Sequence, residues 1–249
     1  MLSKDELERY DRQIMIDGFG EEGQEKLKRA RIVIAGAGGL GSPISLYLTA
    51  AGVGTIRLVD HGSAELSNLN RQILHFTEDI HRKKVASAVA KLRRLNPAVE
   101  IETIDETISE ANVAELVKGF DLIVDAMDNL PARYLLNRAA IREGIPFFHG
   151  AVSGFEGRAM TILPGKSACL QCIYHGAVTP EGKFPVIGTA PAIIGSIQAT
   201  EAIKYIVGIG DLLLNRLLVY DGLSSQFTEF EVKRDPECSH CSHLREEEK

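Results

Sequence analysis

Four cysteines are the residues of this 249-residue sequence whose spacing points most directly to a chemistry. They form two CxxC pairs with 65 residues between the pairs, namely Cys169, Cys172, Cys238 and Cys241. Four thiolates in this pattern are typical of a tetrahedral structural zinc site. A redox role is the alternative, but a thioredoxin-like CxxC normally occurs once, near a helix start. We predict zinc, with His240 and His243 left as alternative ligands.

A glycine-rich turn offers a second kind of chemistry. Gly36, Gly38, Gly39 and Gly41 follow an apolar, β-branched run at 31–35 and precede a helical pattern at 43–51. In such a turn the backbone approaches phosphates closely, and the N-terminus of the helix attracts an anion. Asp60 ends the next predicted strand, where a carboxylate accepts hydrogen bonds from ribose hydroxyls. The pattern predicts a nucleotide site; the alternative is a turn needed only for helix–sheet packing.

A polar cluster shortly after Asp60 indicates which nucleotide is bound. It consists of Ser67, Asn68, Leu69, Asn70, Arg71 and Gln72. A guanidinium matches phosphate oxygens and concentrates positive charge where a pyrophosphate leaves. Lys84 adds a second cation, although alone it would be read as a solvated surface residue. The cluster therefore favours a triphosphate, while a polar surface loop is the other interpretation.

Two acidic residues and an amide lie at the end of a later predicted strand and just beyond it. Asp125, Asp128 and Asn129 should emerge at the carboxyl edge of the sheet, where doubly wound folds bind ligands. Magnesium usually takes one or two carboxylates together with phosphate oxygens. Asp128 or Asn129 is also placed to cap the helix that begins near Pro131. One residue in each role is compatible with the sequence.

The order of predicted elements indicates how these residues are positioned. Strands are predicted at 31–35, 55–60, 99–104, 121–125 and 146–152, with helices near 43–51, 79–95, 110–118 and 131–143. This alternation predicts an α/β fold with a Rossmann-like, mainly parallel sheet and helices on both faces. Ser3 and Glu6 have capping-box spacing, which predicts a helix that begins there and runs through Met15. We divide a single domain, 1–249, into N-terminal helices (1–30), a nucleotide-binding half (31–150), a second half (151–241) and a tail (242–249).

The second half has a different pattern. Strands at 158–163, 216–220 and 226–233 predict an antiparallel extension of the sheet, and a long apolar helix is predicted at 190–208. Residues 173–188 carry glycine and proline without periodicity, so we predict a mobile loop there.

Composition excludes several classes of protein. The formal net charge of −6 argues against a protein that binds nucleic acid through the phosphate backbone, and DNA is not an expected partner. The charged first 28 residues lack a secretory apolar region, and no apolar run approaches 18 residues. We expect a cytoplasmic protein with no membrane partner, in which cysteine pairs bind metal rather than form disulfides.

The motifs together resemble those of the ThiF/MoeB/HesA family of ubiquitin-activating-type adenylyltransferases, and the MoeB type most of all. The resemblance spans roughly residues 5–241 and rests on RYDRQ at 9–13, GAGGLGS at 36–42, SNLNRQ at 67–72, DAMDN at 125–129 and both CxxC pairs. It implies that ATP and Mg²⁺ are used to adenylate the C-terminal glycine carboxylate of a small ubiquitin-like sulfur carrier ending in Gly-Gly, as in molybdopterin or thiamine biosynthesis.

Residue roles follow from the same resemblance. Gly39 and Asp60 are implied to contact the nucleotide, and residues 67–71 are implied to line its site. Arg71 and Lys84 are implied to hold the triphosphate. Asp128 and Asn129 are implied to bind magnesium and the α-phosphate. Arg12 is implied to reach across a homodimer into the neighbouring phosphates.

One departure from the family pattern concerns sulfur. Many relatives carry a further cysteine in the loop after the first CxxC pair, whereas the nearest counterpart here is around Phe184. With all four cysteines assigned to zinc, the activity would stop at adenylation and a separate sulfur donor would be needed. The alternatives are a relative that activates a carboxylate on transfer RNA, an NAD-dependent oxidoreductase, and a catalytically silent binding protein.

Overall fold

An eight-stranded sheet runs through the computed structural model, which describes residues 1–178, 182 and 184–244. The strands are β1 (Arg31–Ala35), β2 (Thr55–Val59), β3 (Glu100–Ile104), β4 (Leu122–Asp125), β5 (Phe147–Ser153), β6 (Glu156–Ile162), β7 (Arg216–Asp221) and β8 (Gln226–Glu231). Their order is β3-β2-β1-β4-β5-β6-β7-β8. Strands β1 to β5 pair in parallel, and β6 to β8 continue the sheet antiparallel. The predicted fold class is confirmed.

Helices cover both faces of this sheet. Those in the described residues are α1 (Lys4–Arg9), α2 (Asp11–Ile14), α3 (Gly20–Arg29), α4 (Gly41–Ala51), α5 (Lys84–Leu95), α6 (Val113–Val117), α7 (Leu130–Glu143), α8 (Leu170–Tyr174) and α9 (Thr189–Val207). The longest, α9, packs against α4, β5 and β6 and so joins the parallel and antiparallel halves.

Strand β1 shows why both faces must be covered. Its alternate residues Ile32 and Ile34 belong to a core cluster with side chains of α4, α5 and α9, whereas Val33 and Ala35 belong to a second cluster with α7 and α8. Successive side chains of a strand point to opposite faces, so a strand that is apolar at every position is buried on both. The four cysteines lie in the second cluster.

Two predicted helix boundaries are wrong. The helix predicted at 79–95 begins at Lys84, because the Asp79 carboxylate accepts a hydrogen bond from the Phe76 amide (2.8 Å) and closes a separate 3₁₀ turn. His81 then adopts a left-handed conformation (φ 71°), which ends helical continuity. The helix predicted from Ser3 through Met15 is broken at Tyr10 into α1 and α2.

The predicted loop at 173–188 is only partly described. Its first residues belong to α8, and its later part is tied to the β5–β6 turn, because the Gly154 amide donates to the Pro185 carbonyl (2.7 Å). Residues 179–181 and 183 lie outside the described part, as do 245–249 of the predicted tail, so the mobility of the loop stays a prediction. Among the described helices, none has the length and apolar character needed to cross a membrane.

Candidate active site

A pocket of about 1080 Å³ opens at the carboxyl ends of the central parallel strands. This is the edge where open α/β sheets bind ligands, and the volume is at the upper end of the range for ligand pockets. The sequence-predicted residues that line it are Gly36, Gly38, Gly39, Asp60, Ser67, Asn68, Asn70, Arg71, Gln72, Lys84 and Asp128. Residues from five separate segments of the chain are thus brought together.

The glycine turn between β1 and α4 has a shape that side chains would obstruct. Gly36 has φ 111°, and a Cβ there would lie 2.5 Å from the carbonyl oxygen of Ala126. A Cβ at Gly41 would overlap the Gly36 carbonyl, so this glycine is required by packing and does not line the pocket. The Asp60 carboxylate fixes the turn, since Oδ2 accepts from the Ala37 amide (2.8 Å) and Oδ1 from the Gly62 amide (2.7 Å). Each oxygen has a second lone pair for a ribose hydroxyl.

The polar cluster after Asp60 begins with a short 3₁₀ turn, Leu66–Asn68, that turns the chain back toward the glycines. The Arg71 guanidinium is held by the Ser67 carbonyl (2.9 Å) and the Asn70 side-chain oxygen (3.0 Å). These neutral acceptors orient the cation without cancelling its charge. Gln72 is buried beside Gly38, and its Oε1 has no hydrogen-bond partner among the described residues. A bound ligand with a donor group would satisfy this oxygen.

Lys84 stands at the first position of α5, where its amide donates to the Gly62 carbonyl (3.0 Å). Its ammonium lies near Gly62 and Asp60, because a Cβ on Gly62 would be 3.3 Å from Nζ and 3.1 Å from Asp60 Oδ1. The ion pairs of the described residues do not include Lys84. A cation with this freedom is suited to bind a phosphate.

Asp128 and Asn129 take different roles after β4. The Asn129 side chain accepts from the Ala132 amide (2.9 Å) and caps α7, which has Pro131 in its first turn. Asp128 is exposed and bonded through Oδ1 only to the Asn129 amide (3.2 Å), so most of its acceptor capacity faces the pocket. Of the pair, Asp128 is the one able to take a metal ion, and Asn129 does not line the pocket.

Two further predicted residues are not brought to the pocket. Leu69 follows the 3₁₀ turn but is not in the lining. Arg12 lies on α2 with 89% of its side chain exposed, near Asp11 (3.8 Å) and the Met15 sulfur (4.0 Å). Any role of Arg12 at a phosphate therefore requires a second copy of the chain.

Sequence reasoning missed a buried polar chain beside the pocket. The Asp125 carboxylate is fully buried, and its Oδ2 contacts His149 Nδ1 (2.8 Å) and Arg133 Nε (3.2 Å). Nε2 of His149 lies 3.0 Å from the Tyr174 hydroxyl. The Arg133 guanidinium also donates to the carbonyls of Met127 and Gly150, so it holds the loop that carries Asp128. No spacing signal reveals this chain, because its members come from β4, α7, β5 and α8.

The direction of hydrogen bonding along this chain follows from its acidic end. A carboxylate only accepts, so His149 donates from Nδ1 and accepts at Nε2 from the Tyr174 hydroxyl. Burial lowers the pKa of His149, which keeps the imidazole neutral as this arrangement requires. Burial also raises the pKa of Tyr174, so its hydroxyl stays protonated. The Tyr174 oxygen keeps lone pairs free, and both Tyr174 and Arg158 of β6 line the pocket.

The four cysteines converge at a site of their own. Their sulfurs all lie within 4.8 Å of one another, with Cys169 3.9 Å from Cys172 and 3.6 Å from Cys238, and Cys172 3.6 Å from Cys241. A tetrahedron with metal–sulfur bonds of about 2.3 Å has sulfurs about 3.8 Å apart, whereas a disulfide requires about 2.05 Å. The spacing therefore fits a four-thiolate metal site.

The surroundings of the cluster agree with this geometry. All four cysteines are buried, and the Asp235 amide donates to Cys172 Sγ (3.4 Å). His240 is engaged elsewhere, since its Nδ1 contacts the Asn137 amide (3.0 Å), and the cluster contains no histidine ligand among the described residues.

Comparison with known proteins gives one consistent family. The ThiF family model matches residues 10–240. The chain is 41% identical over 249 residues to "Sulfur carrier protein adenylyltransferase" of Thermus thermophilus, covering 96% of this chain and 92% of the relative. It is 43% identical over 246 residues to "SAMP-activating enzyme E1" of Haloferax volcanii, covering 96% and 90%.

Solved structures agree. The crystal structure of selenomethionyl PaaA superposes with a TM-score of 0.81 at 28% identity, covering 93% of this chain and 75% of PaaA. The predicted reaction class, adenylyl transfer, is confirmed as the one that the curated relatives are named for. On the match over residues 10–240 and the identity to full-length relatives, this chain belongs to the ThiF family.

Proposed function

We propose that this chain adenylates the C-terminal glycine carboxylate of a small ubiquitin-like sulfur carrier, forming an acyl-adenylate and pyrophosphate from ATP. The observation that carries the proposal is the convergence of Asp60, Arg71, Lys84 and Asp128 on one pocket beside the glycine turn. The names of the relatives, which refer to sulfur carriers and to SAMP activation, support the same substrate class.

The reaction needs positioning and charge neutralisation more than covalent chemistry from the protein. A carboxylate oxygen of the carrier attacks the α-phosphorus of ATP, and the bond to the pyrophosphate oxygen breaks as the new P–O bond forms. The glycine turn, Asp60 and the buried Gln72 amide are placed to bind the nucleoside and the first phosphates. Arg71 and Lys84 are placed to stabilise the negative charge that builds on the leaving pyrophosphate.

A magnesium ion fits beside Asp128. The carboxylate is exposed to the pocket and keeps free acceptor sites, as a hard cation that also binds phosphate oxygens requires. When bound, such an ion neutralises phosphate charge and acts as a Lewis acid on the phosphoryl oxygens. Arg12 completes the proposal as a residue supplied by a partner copy in a homodimer.

The cysteine cluster has a separate, structural role in this proposal. Four buried thiolates at tetrahedral spacing fit zinc with no open coordination position, and a closed site is structural rather than catalytic. The sequence contains no fifth cysteine, and Phe184 is part of the pocket wall. Sulfur would therefore reach the adenylate from a separate donor protein.

ATP–pyrophosphate exchange tests the function. Labelled pyrophosphate is incubated with ATP, the enzyme and a panel of purified small carriers that end in Gly-Gly. We expect exchange that depends on one or more carriers and is lost in Asp128→Ala. Asp211→Ala, which removes an exposed carboxylate outside the pocket, is the matched control and should exchange normally.

The other outcomes separate the alternatives. ATP binding without exchange for any carrier would overturn the carrier as substrate and favour a carboxylate on transfer RNA. Binding of NAD but not ATP would favour an oxidoreductase and overturn the proposal altogether.

A further inference from the structure

Arg158 is a cation of the pocket wall that has no role in the proposed binding of the nucleotide. It lies on β6 opposite Ala151 of β5, at the end of the hairpin that faces the carboxyl edge of the parallel strands. Adjacent strands are about 4.8 Å apart, so β6 stands about 10 Å from β4 and about 14 Å from β1 along the sheet. Arg158 therefore lines the part of the pocket beyond Asp128 as seen from the glycine turn.

The guanidinium of Arg158 has no neutralising partner among the described residues. The ion pairs of the described residues do not include Arg158, although Glu156 lines the same pocket two residues earlier on the strand. Tyr174 lines the same pocket, and its hydroxyl lies 3.0 Å from His149 Nε2, to which it donates. An exposed arginine with no carboxylate partner keeps its charge for a ligand.

The proposed reaction creates a need for such a cation. Its nucleophile is a carboxylate that must approach a triphosphate, and the two repel each other. Arg71 and Lys84 are occupied by phosphate oxygens in the proposed function, so a separate cation is required on the side from which the carboxylate arrives. Arg133 also lines the pocket, but its guanidinium is engaged by Asp125 and by two backbone carbonyls. Arg158 is therefore the pocket-wall arginine on that side with no carboxylate partner among the described residues, and a guanidinium matches the two oxygens of a carboxylate.

We propose that Arg158 binds the terminal carboxylate of the acyl substrate before adenylation. The inference rests on the proposed function for the identity of the reaction. It adds the residue that recognises the carboxylate, as distinct from those that hold the nucleotide.

A binding experiment tests the inference without requiring turnover. The probe is an N-acetylated hexapeptide that ends in Gly-Gly, prepared with a free C-terminal carboxylate and with a C-terminal amide. Affinities are measured with the whole chain saturated with a non-hydrolysable ATP analogue. We expect the wild-type protein to prefer the carboxylate peptide roughly tenfold or more, as for a hydrogen bond between charged groups.

The variants separate recognition from folding. Arg158→Gln should bind the two peptides equally while its affinity for the ATP analogue stays within about twofold of wild type. Arg158→Lys keeps the charge and should retain part of the preference. Arg142→Gln removes an exposed arginine of α7 outside the pocket and should change nothing.

Two results would overturn the inference: equal binding of both peptides by the wild-type protein, or an undiminished preference in Arg158→Gln. Failure of the proposed function is seen separately. If no carrier supports pyrophosphate exchange but the carboxylate preference is present and lost in Arg158→Gln, the adenylation proposal falls and the carboxylate site stands.

Discussion

Arg12 is a residue whose side chain does little for the stability of its own chain. It is 89% exposed, and its contacts are an exposed carboxylate at 3.8 Å and a sulfur at 4.0 Å. Such surface pairs contribute between zero and about 1 kcal/mol. We therefore predict that Arg12→Ala lowers exchange activity on the order of 10³-fold, as removal of an arginine finger does in phosphoryl transfer, while the urea midpoint stays unchanged.

Arg94→Ala provides the comparison, because Arg94 is also exposed and lies outside the pocket. It should keep both activity and stability. A sedimentation experiment on the Arg12 variant shows whether any loss of activity follows from loss of the proposed homodimer. An Arg12→Ala protein that unfolds early yet is fully active when folded would contradict the prediction.

His75 makes stability depend on pH. It is buried, with Nε2 donating to the Ala37 carbonyl (2.9 Å) and Nδ1 accepting from the Ser87 hydroxyl (2.9 Å). The Lys91 ammonium donates to the same hydroxyl (2.8 Å), which leaves the hydroxyl proton for His75. Protonation of Nδ1 would place two donors face to face. Burial, with Lys84 and Lys91 nearby, accordingly lowers the pKa of His75 in the folded chain.

The sign of the effect follows from proton linkage. Between the folded and unfolded pKa values, the unfolded chain binds more protons, so the free energy of unfolding falls as pH drops below about 6.5. The slope from one histidine approaches about 1.4 kcal/mol per pH unit. Urea unfolding between pH 7.5 and 5.5 should show a shallower slope in His75→Gln than in wild type or in the exposed-site control His243→Gln. Equal slopes in all three would refute the role of His75.

The glycine turn lets two effects be separated within one element. A Cβ at Gly41 would overlap the Gly36 carbonyl, whereas a Cβ at Gly38 would meet only Gln72, at 3.6 Å. We predict that Gly41→Ala lowers the free energy of unfolding by about 1–3 kcal/mol, the usual cost of overpacking, and that Gly38→Ala changes it little. Urea unfolding of both variants is the measurement. Similar losses in the two would contradict the assignment of Gly41 to packing and Gly38 to the pocket wall.

The elements that the sequence predicts well are those whose signal is local. The run at 32–35 is apolar throughout and is buried on both faces of β1, and the capping box at Ser3 forms as expected. The predicted start of α5 is too early because Ile80 continues the apolar spacing of the helix. The Asp79 side chain, however, is fixed by an ion pair with Lys91, twelve residues further along the chain. Periodicity does not detect such a contact.

The same reasoning explains which site residues could be anticipated. The glycine turn and the cluster at 67–72 are contiguous motifs, and most of their members do line the pocket. Asp125 precedes His149 by 24 residues, and His149 precedes Tyr174 by 25 residues. Their contacts exist only because the fold brings β4, β5 and α8 together. Arg158 belongs to no motif, and its place on the pocket wall follows only from the pairing of β6 with β5.

At the scale of the whole molecule, the cysteine cluster joins parts of the chain that are far apart in sequence. It ties α8, whose Tyr174 supports the pocket wall, to residues 238–241 near the C-terminal end of the described chain. Asn137 of α7 reinforces this junction, since its side chain accepts from the Leu170 amide (3.0 Å) and contacts His240 (3.0 Å). The junction thus supports the antiparallel half from outside the pocket.

A structural metal at this junction has consequences for the whole fold. Protein purified without chelator should contain about one equivalent of zinc by elemental analysis, as a single four-ligand site requires. Cys238→Ser should lower the metal content and reduce Tm by roughly 4–8 °C, which corresponds to about 2 kcal/mol in a chain of this size. Exchange activity at a temperature where the variant is folded should be largely kept, because the cluster does not line the pocket.

Ser239→Ala, a neighbouring exposed position, should bind zinc and melt like wild type. Absence of zinc from the purified protein would refute the metal site. A Cys238→Ser protein that is stable but inactive would refute the structural role and indicate that the cluster takes part in catalysis.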